Sequence, residues 1–149
     1  MHIVFVCTGN IWRSPMAEAM ARSWHSAEGH TFSSAGISAT ARQPMTTQAI
    51  EALAEVGIDG SGHRSQGLDK EIVAAADHIY AMEPLHEAWM RRRFTHERGS
   101  ISLFDPAGDP VDDPYGLSTA QYRATRDEIA AVLAVRATGW LRDPRGDGL

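Results

Sequence analysis

The feature that most constrains the fold is a short apolar run near the N-terminus, residues 2–6 (His-Ile-Val-Phe-Val). A run without polar alternation is typical of a strand buried on both faces of a parallel sheet. It ends at residues 7–10 (Cys-Thr-Gly-Asn), and after Pro15 a helix is predicted over 16–28, with Ala17, Met20, Ala21 and Trp24 on its buried face. A strand, a tight loop and a helix form the opening of a βαβ unit, in which helices join parallel strands.

The same alternation continues along the chain. Further strands are predicted over 31–35, 78–82 and 101–104, and helices over 45–56, 69–75, 84–94 and 119–137. The segments between them are rich in Gly, Pro and polar residues, as loops are. We therefore predict an α/β fold with one domain over 1–141, a four-stranded parallel sheet with helices on both faces, and a flexible tail over 142–149.

Size and charge exclude several classes of function. The chain has 149 residues, the size of one domain, and a formal net charge of −5 from 14 Lys and Arg against 19 Asp and Glu. Nucleic acid and anionic membranes attract excess positive charge, so neither is an expected partner. No apolar run reaches the length of a membrane span, and we expect a cytoplasmic location.

Cysteine and histidine content argues against a metal or cofactor. The chain has a single cysteine, which excludes an intramolecular disulfide and a cysteine-based metal cage. Its seven histidines show no His-x3-His spacing. We therefore predict neither a metal site nor a bound cofactor.

The loop from Cys7 to Ser14 occupies the place where α/β folds bind ligands, between the end of a strand and the start of a helix. Five residues separate Cys7 from Arg13, enough for backbone N–H groups to curl around a tetrahedral oxyanion. Gly9 is predicted to supply the backbone freedom for this curl, and Arg13 a fork that grips two phosphoryl oxygens. The same donors favour the thiolate, the reactive form of cysteine, and Ser14 is placed to donate to it. This spacing predicts a nucleophile rather than a buried structural cysteine.

An acidic loop follows the fourth predicted strand. A carboxyl group above the phosphate can protonate a leaving group and then take a proton from water. From the residues alone, four aspartates are equal candidates for that role: Asp105, Asp109, Asp112 and Asp113. An ordinary solvated turn is the alternative interpretation of such a segment.

These motifs together resemble the low-molecular-weight protein tyrosine phosphatases. Residues 6–10 (Val-Cys-Thr-Gly-Asn) and 13–18 (Arg-Ser-Pro-Met-Ala-Glu) resemble the family's signature, and three further segments match in order: 34–36 (Ser-Ala-Gly), the loop of His63, and 113–115 (Asp-Pro-Tyr). The resemblance covers nearly the whole chain. It implies a phosphoric monoester hydrolase that works without metal, through a phosphocysteine intermediate.

The resemblance also implies roles for individual residues. Asp113 becomes the general acid and base, beside the nucleophile Cys7 and the phosphate clamp Arg13. Asn10 and Ser34 resemble a pair that holds the loop in a strained shape, although an ordinary strand-end hydroxyl remains an alternative for Ser34. His63 resembles a residue that braces the loop. The implied phosphate-binding residues are Thr8, Gly9, Asn10, Ile11, Trp12, Arg13 and Ser14, and the implied substrate walls are Ile11, Trp12 and Tyr115.

The chain departs from the family pattern at several positions. Position 12, commonly a second cysteine, is Trp12, which either walls the cleft or packs inward. Residues 37–42 lack an aromatic residue and Gly116 follows Tyr115, features that resemble the bacterial protein-arginine phosphatase branch. That branch tends to have threonine where this chain has Ile11, whose apolar side chain favours packing against a tyrosine ring.

We therefore predict a protein-tyrosine phosphatase that acts on phosphotyrosine-containing proteins, a bacterial tyrosine kinase among the candidates, and that is a monomer. A protein-arginine phosphatase is one alternative. An arsenate reductase using an external thiol is another, because arsenate resembles phosphate. That kind of reductase typically has glutamine after Arg-Ser, where this chain has Pro15.

Overall fold

The computed structural model describes residues 1–94, 100–111 and 118–140. In this part of the chain four strands form one parallel sheet, in the order β2-β1-β3-β4: β1 (His2–Cys7), β2 (Thr31–Gly36), β3 (His78–Ala81) and β4 (Ser100–Leu103). The helices are α1 (Arg13–His25), α2 (Thr47–Ala54), α3 (Lys70–Ala75), α4 (Pro84–Arg93) and α5 (Thr119–Trp140), with a 3₁₀ turn at Ser26–Glu28. The predicted tail, 142–149, lies outside the described residues.

Strand β1 lies inside the sheet and is buried on both faces. Successive residues of a strand point to opposite sides. Accordingly, Ile3 and Phe5 pack in a core with α1, α2 and α5, whereas Val4 and Val6 pack with Val73 of α3 and with α4. The predicted α/β fold, with helices on both faces of a four-stranded parallel sheet, is confirmed.

The larger core contains a cluster of aromatic rings that includes Trp140, and α5 continues beyond its predicted end to reach it. Trp140 is 2% exposed, and its ring lies 5.5 Å from that of Phe32, measured between centroids. Its indole N–H donates to the Tyr80 hydroxyl at 3.0 Å. Because this partnered indole is buried, the helix continues to Trp140 rather than ending near 137.

No helix among the described residues is both long and apolar enough to cross a bilayer.

Helical periodicity overestimated burial at the ends of two helices. Trp24 is 44% exposed, because the alanines of α5 that face it, Ala130, Ala134 and Ala137, leave a shallow groove beside the indole. Val56 is 45% exposed, because α2 ends at Ala54 and Gly57, with φ of 78°, turns the chain out of helical register. The prediction that Trp24 lies on a buried helix face was wrong, and the helix predicted over 45–56 ends two residues too late.

Burial lowers the pKa of His78 at the start of β3; the Asp77 carboxylate opposes this effect and the Arg136 guanidinium adds to it. In the unfolded chain a histidine titrates near its ordinary value of about 6.5, so below that pH the unfolded state binds a proton that the folded state resists. Stability should therefore fall as the pH drops through this range. We expect the Tm of the wild type to decrease between about pH 8 and pH 5.5, and to decrease less in His78→Gln. An equal decrease in both proteins would contradict this assignment.

Candidate active site

The loop from Cys7 to Ser14 joins β1 to α1 and is pressed against the end of β2. The N–H groups of Ile37 and Ser38 donate to the carbonyls of Cys7 and Thr8, each at 3.0 Å. A Cβ atom added to Gly36 would stand 2.5 Å from the Thr8 carbonyl oxygen. Only glycine therefore lets β2 approach the loop this closely.

The left-handed residue of this loop is Asn10. Its φ is 55°, whereas Gly9 lies outside the left-handed region. The prediction that Gly9 supplies the conformational freedom was therefore wrong. Asparagine is among the few non-glycine residues that adopt this conformation readily, because its short polar side chain forms local hydrogen bonds.

Four hydrogen bonds hold Asn10 in that conformation. Its side-chain N–H groups donate to Ser14 Oγ and Ser34 Oγ, each at 2.9 Å, and its side-chain oxygen accepts from the Gln66 N–H at 2.9 Å. Its carbonyl lies 2.6 Å from His63 Nε2, which must donate, since a carbonyl only accepts. The structure thus places Ser34 and His63 against Asn10. Gln66 was missed, because its bond is made by the backbone.

The thiol of Cys7 lies at the base of the loop. Cys7 is 3% exposed and Ser14 is fully buried. The distance from Cys7 Sγ to Ser14 Oγ is 2.9 Å. A hydroxyl that donates to sulfur in this position stabilises a thiolate.

Arg13 begins α1 and is buried beside a carboxylate that the sequence analysis missed. Its guanidinium lies 3.0 Å from Glu83 Oε2 and donates to the Val111 carbonyl at 3.0 Å. A buried guanidinium needs such partners, because an unpaired charge is costly to remove from water. Glu83 directly follows Met82, the last residue of the third predicted strand. Because α/β folds gather ligand-binding residues at this position, the place of Glu83 in the sequence was the signal that could have identified it.

Thr8 is anchored by a histidine that is fully buried. His86 Nδ1 accepts from the Glu83 N–H at 3.2 Å, so the neutral ring carries its proton on Nε2. Nε2 lies 2.8 Å from the Thr8 hydroxyl. This contact ties the start of the loop to α4, and no sequence motif indicated it.

A cavity of about 200 Å³ opens above the thiol. Its walls are Cys7, Thr8, Gly9, Ile11, Trp12, Arg13, Thr46 and Tyr122. Trp12 is only 5% exposed, and its ring packs inward against Tyr122, with centroids 4.8 Å apart. Tyr122 and Thr46 were not predicted to be site residues. Tyr122 carried no signal beyond helical periodicity, because its place in the wall depends on how α5 packs.

The predicted acidic residues fall partly beyond the described chain. Asp112, Asp113 and Tyr115 lie outside the described residues. Asp105 accepts from the Ala107 N–H at 2.9 Å and so stabilises its own turn. Among residues 1–94, 100–111 and 118–140, no group of three or more His, Cys, Asp or Glu side chains is gathered to hold a metal ion.

A comparison with known proteins identifies the family. The sequence model described as low molecular weight phosphotyrosine protein phosphatase matches residues 2–138. The chain belongs to this family. The resemblance expected from the signature loop is therefore confirmed, and with it the assignment of the chain to the phosphatase hydrolases.

Relatives of this phosphatase include protein-arginine and protein-tyrosine phosphatases. The protein-arginine-phosphatase of Bacillus subtilis is 37% identical over 152 residues, which cover 97% of this chain and all of that protein. A probable low molecular weight protein-tyrosine-phosphatase, EpsP of Ralstonia solanacearum, is 37% identical over 131 residues, 87% of each chain. Among solved structures, a YwlE arginine phosphatase mutant with a phosphorylated active-site serine superposes with a TM-score of 0.91 at 35% identity, covering 97% of this chain and 99% of that one.

The close approach at Gly36 gives a testable consequence. In Gly36→Ala the new methyl group collides with the backbone of the loop, so we expect a free energy of unfolding lower by about 1–3 kcal/mol, together with a large loss of phosphatase activity. Gly62→Ala is the matched control, because no atom lies within 4 Å of its added Cβ. Chemical denaturation and hydrolysis of p-nitrophenyl phosphate measure both effects. Equal behaviour of the two variants would contradict the tight contact.

Proposed function

We propose that the chain is a protein-tyrosine phosphatase that hydrolyses phosphotyrosine through a phosphocysteine intermediate. The observation that carries this proposal is the contact of Cys7 Sγ with Ser14 Oγ inside a loop closed by the buried Arg13. A reactive thiolate next to a fixed cation and a helix N-terminus is suited to attack on a phosphate ester. The solved relative with a phosphorylated active-site serine supports a covalent intermediate.

In the first step the phosphate binds in the loop, and the thiolate of Cys7 attacks phosphorus. A sulfur–phosphorus bond forms, and the bond from phosphorus to the tyrosine oxygen breaks. The Arg13 guanidinium and the loop N–H groups hold the equatorial oxygens, whose negative charge they stabilise in the transition state. Asp113 donates a proton to the departing phenolate, so that tyrosine leaves neutral.

In the second step water attacks the phosphocysteine. The carboxylate of Asp113 takes a proton from this water, the sulfur–phosphorus bond breaks, and inorganic phosphate and the Cys7 thiolate are released. Ser14 donates to the leaving sulfur. The assignment of Asp113 is supported by the family motif and by Val111, two residues earlier, whose carbonyl is bonded to Arg13. Neither step uses a metal or a cofactor.

The cavity walls support an aromatic substrate. Ile11 and the rings of Trp12 and Tyr122 make much of the wall apolar, and a phenyl ring packs well against such side chains. The substrate would be a phosphotyrosine-containing protein, such as a bacterial tyrosine kinase, encountered by a monomeric enzyme in the cytoplasm.

The proposal is tested by hydrolysis of p-nitrophenyl phosphate, a phosphotyrosine peptide and phosphoarginine, all in EDTA. We expect turnover of the phosphotyrosine peptide that disappears in Cys7→Ser and falls by about 100-fold or more in Asp113→Ala, because the leaving group then lacks its proton donor. Asp109→Ala is the matched control, since Asp109 is an exposed acid before the same segment. Absence of turnover with all three substrates would overturn the proposal and redirect the test to arsenate with an external thiol.

Phosphoarginine is the second candidate substrate. The observation that favours it is the end-to-end match with the protein-arginine-phosphatase of Bacillus subtilis. The two candidate substrates favour different side chains at position 11. A hydroxyl there would help to position water beside the slim guanidinium-linked phosphate, whereas an apolar side chain such as that of Ile11 would pack against a tyrosine ring.

Substitution of Ile11 tests this distinction. We expect Ile11→Thr to shift the ratio of kcat/KM for phosphotyrosine over phosphoarginine by about tenfold toward phosphoarginine. Ile11→Val is the matched control, because valine has nearly the shape of threonine without its hydroxyl. A wild-type preference for phosphoarginine, or the same ratio in both variants, would contradict the role given to Ile11.

A further inference from the structure

A continuous chain of hydrogen bonds leads from the outer face of α1 to the thiol. Glu18 Oε1 accepts from Ser34 Oγ at 2.7 Å, and Ser34 Oγ accepts from Asn10 Nδ2 at 2.9 Å. The same Nδ2 donates to Ser14 Oγ at 2.9 Å, and Ser14 Oγ lies 2.9 Å from Cys7 Sγ. The first member, Glu18, is not one of the residues that surround the phosphate.

The direction of this chain is set at both ends of the Asn10 amide. A carboxylate only accepts hydrogen bonds, so the single hydroxyl proton of Ser34 goes to Glu18, and the Ser34 oxygen is left to accept from Asn10. The backbone N–H of Gln66 donates to Asn10 Oδ1, which fixes that atom as the oxygen. Both protons on Nδ2 therefore point to the two serines.

The direction of the chain decides which way the last proton points. Ser14 Oγ accepts from Asn10, and a thiolate at Cys7 can only accept, so the Ser14 proton is directed to Cys7 Sγ. A hydroxyl that accepts a hydrogen bond is a stronger donor in turn, so each link strengthens the next. The thiolate is thus stabilised by an orientation that the Gln66 N–H and Glu18 set from the two sides of the Asn10 amide.

We propose that Glu18 is a positioning residue, which accepts the Ser34 proton and so, together with the Gln66 N–H, holds the Ser34–Asn10–Ser14 chain in the direction that donates a proton to the nucleophile. The inference rests on Cys7 being the nucleophile of the proposed function. Glu18 is suited to this role because its side chain is 14% exposed and Arg22, 2.8 Å from Oε2, balances its charge and fixes its rotamer.

Glu18→Gln separates this role from a simple effect of charge. Glutamine keeps the size of the side chain, but its amide can present either a donor or an acceptor to Ser34. The Ser34 proton then has no fixed acceptor, and Ser34 no longer holds the Asn10 amide firmly on this side. Loss of orientation destabilises the thiolate, whereas loss of a nearby negative charge stabilises it. The two effects have opposite signs.

The primary measurement is the rate of Cys7 alkylation by iodoacetamide as a function of pH, because it reports on the thiolate and requires no substrate. In Glu18→Gln we expect the midpoint of the alkylation profile to move to higher pH, and kcat/KM for p-nitrophenyl phosphate to fall by about five- to tenfold. Glu51→Gln is the matched control, since Glu51 is an exposed glutamate on α2. Absence of turnover in the wild type would contradict the proposed function. The alkylation profile would still test the role of Glu18, because it requires no substrate.

A double-mutant cycle completes the test. If Glu18 acts through Ser14, Glu18→Gln should not move the alkylation midpoint further in a Ser14→Ala background. Ser34→Ala removes the hydroxyl that donates to Glu18, and we expect it to shift the alkylation midpoint to higher pH as well. This variant tests the chain independently if Glu18→Gln folds poorly. A shift to lower pH, no shift, or an equal shift in the Ser14→Ala background would overturn the inference.

Discussion

The structure of the site depends on one backbone conformation, the left-handed φ of Asn10. Asparagine tolerates this region better than most non-glycine residues, but it keeps the conformation only where its surroundings hold it. Here the hold comes from β2 through Ser34, from the loop after α2 through His63 and Gln66, and from α1 through Ser14. The turn that wraps the loop around an anion is therefore a property of the assembled sheet and its neighbours, and the loop residues alone do not determine it.

The buried charge of Arg13 likewise depends on groups from other parts of the chain. Arg13 is buried in the wall of the cavity beside Cys7, and this burial is tolerable only because Glu83 and the Val111 carbonyl accept hydrogen bonds from its guanidinium. The partners come from the segments that follow β3 and β4, two strands whose carboxyl ends lie at the same edge of the parallel sheet as that of β1. A carboxylate beside the arginine also fixes the direction of its fork, which is a requirement for bidentate binding of phosphate.

Sequence reasoning was sufficient wherever a single segment carried the signal. The β1–loop–α1 unit and the parallel sheet follow from local patterns, and the structure confirms both predictions. The signature around Cys7 and Arg13 is also local, and it predicted the family that the comparison confirms. Contacts between distant segments were not readable in this way: Glu83, His86 and Tyr122 reach the loop only because of how α4 and α5 pack. The error at Gly9 has a related cause, since glycine is the usual left-handed residue and the bonds that favour Asn10 instead come from elsewhere in the chain.

The order of these segments along the chain has a consequence for the newly made protein. Cys7 precedes Ser34, His63 and Gln66, so during synthesis the loop emerges before the groups that hold it. Until they are in place, Asn10 and Cys7 have only the local contacts with Ser14, which lies in the same segment. The thiol of the growing chain is therefore an ordinary one, and its thiolate is stabilised only when the fold is complete. In a misfolded copy these contacts are missing, so its Cys7 has the reactivity of an ordinary cysteine.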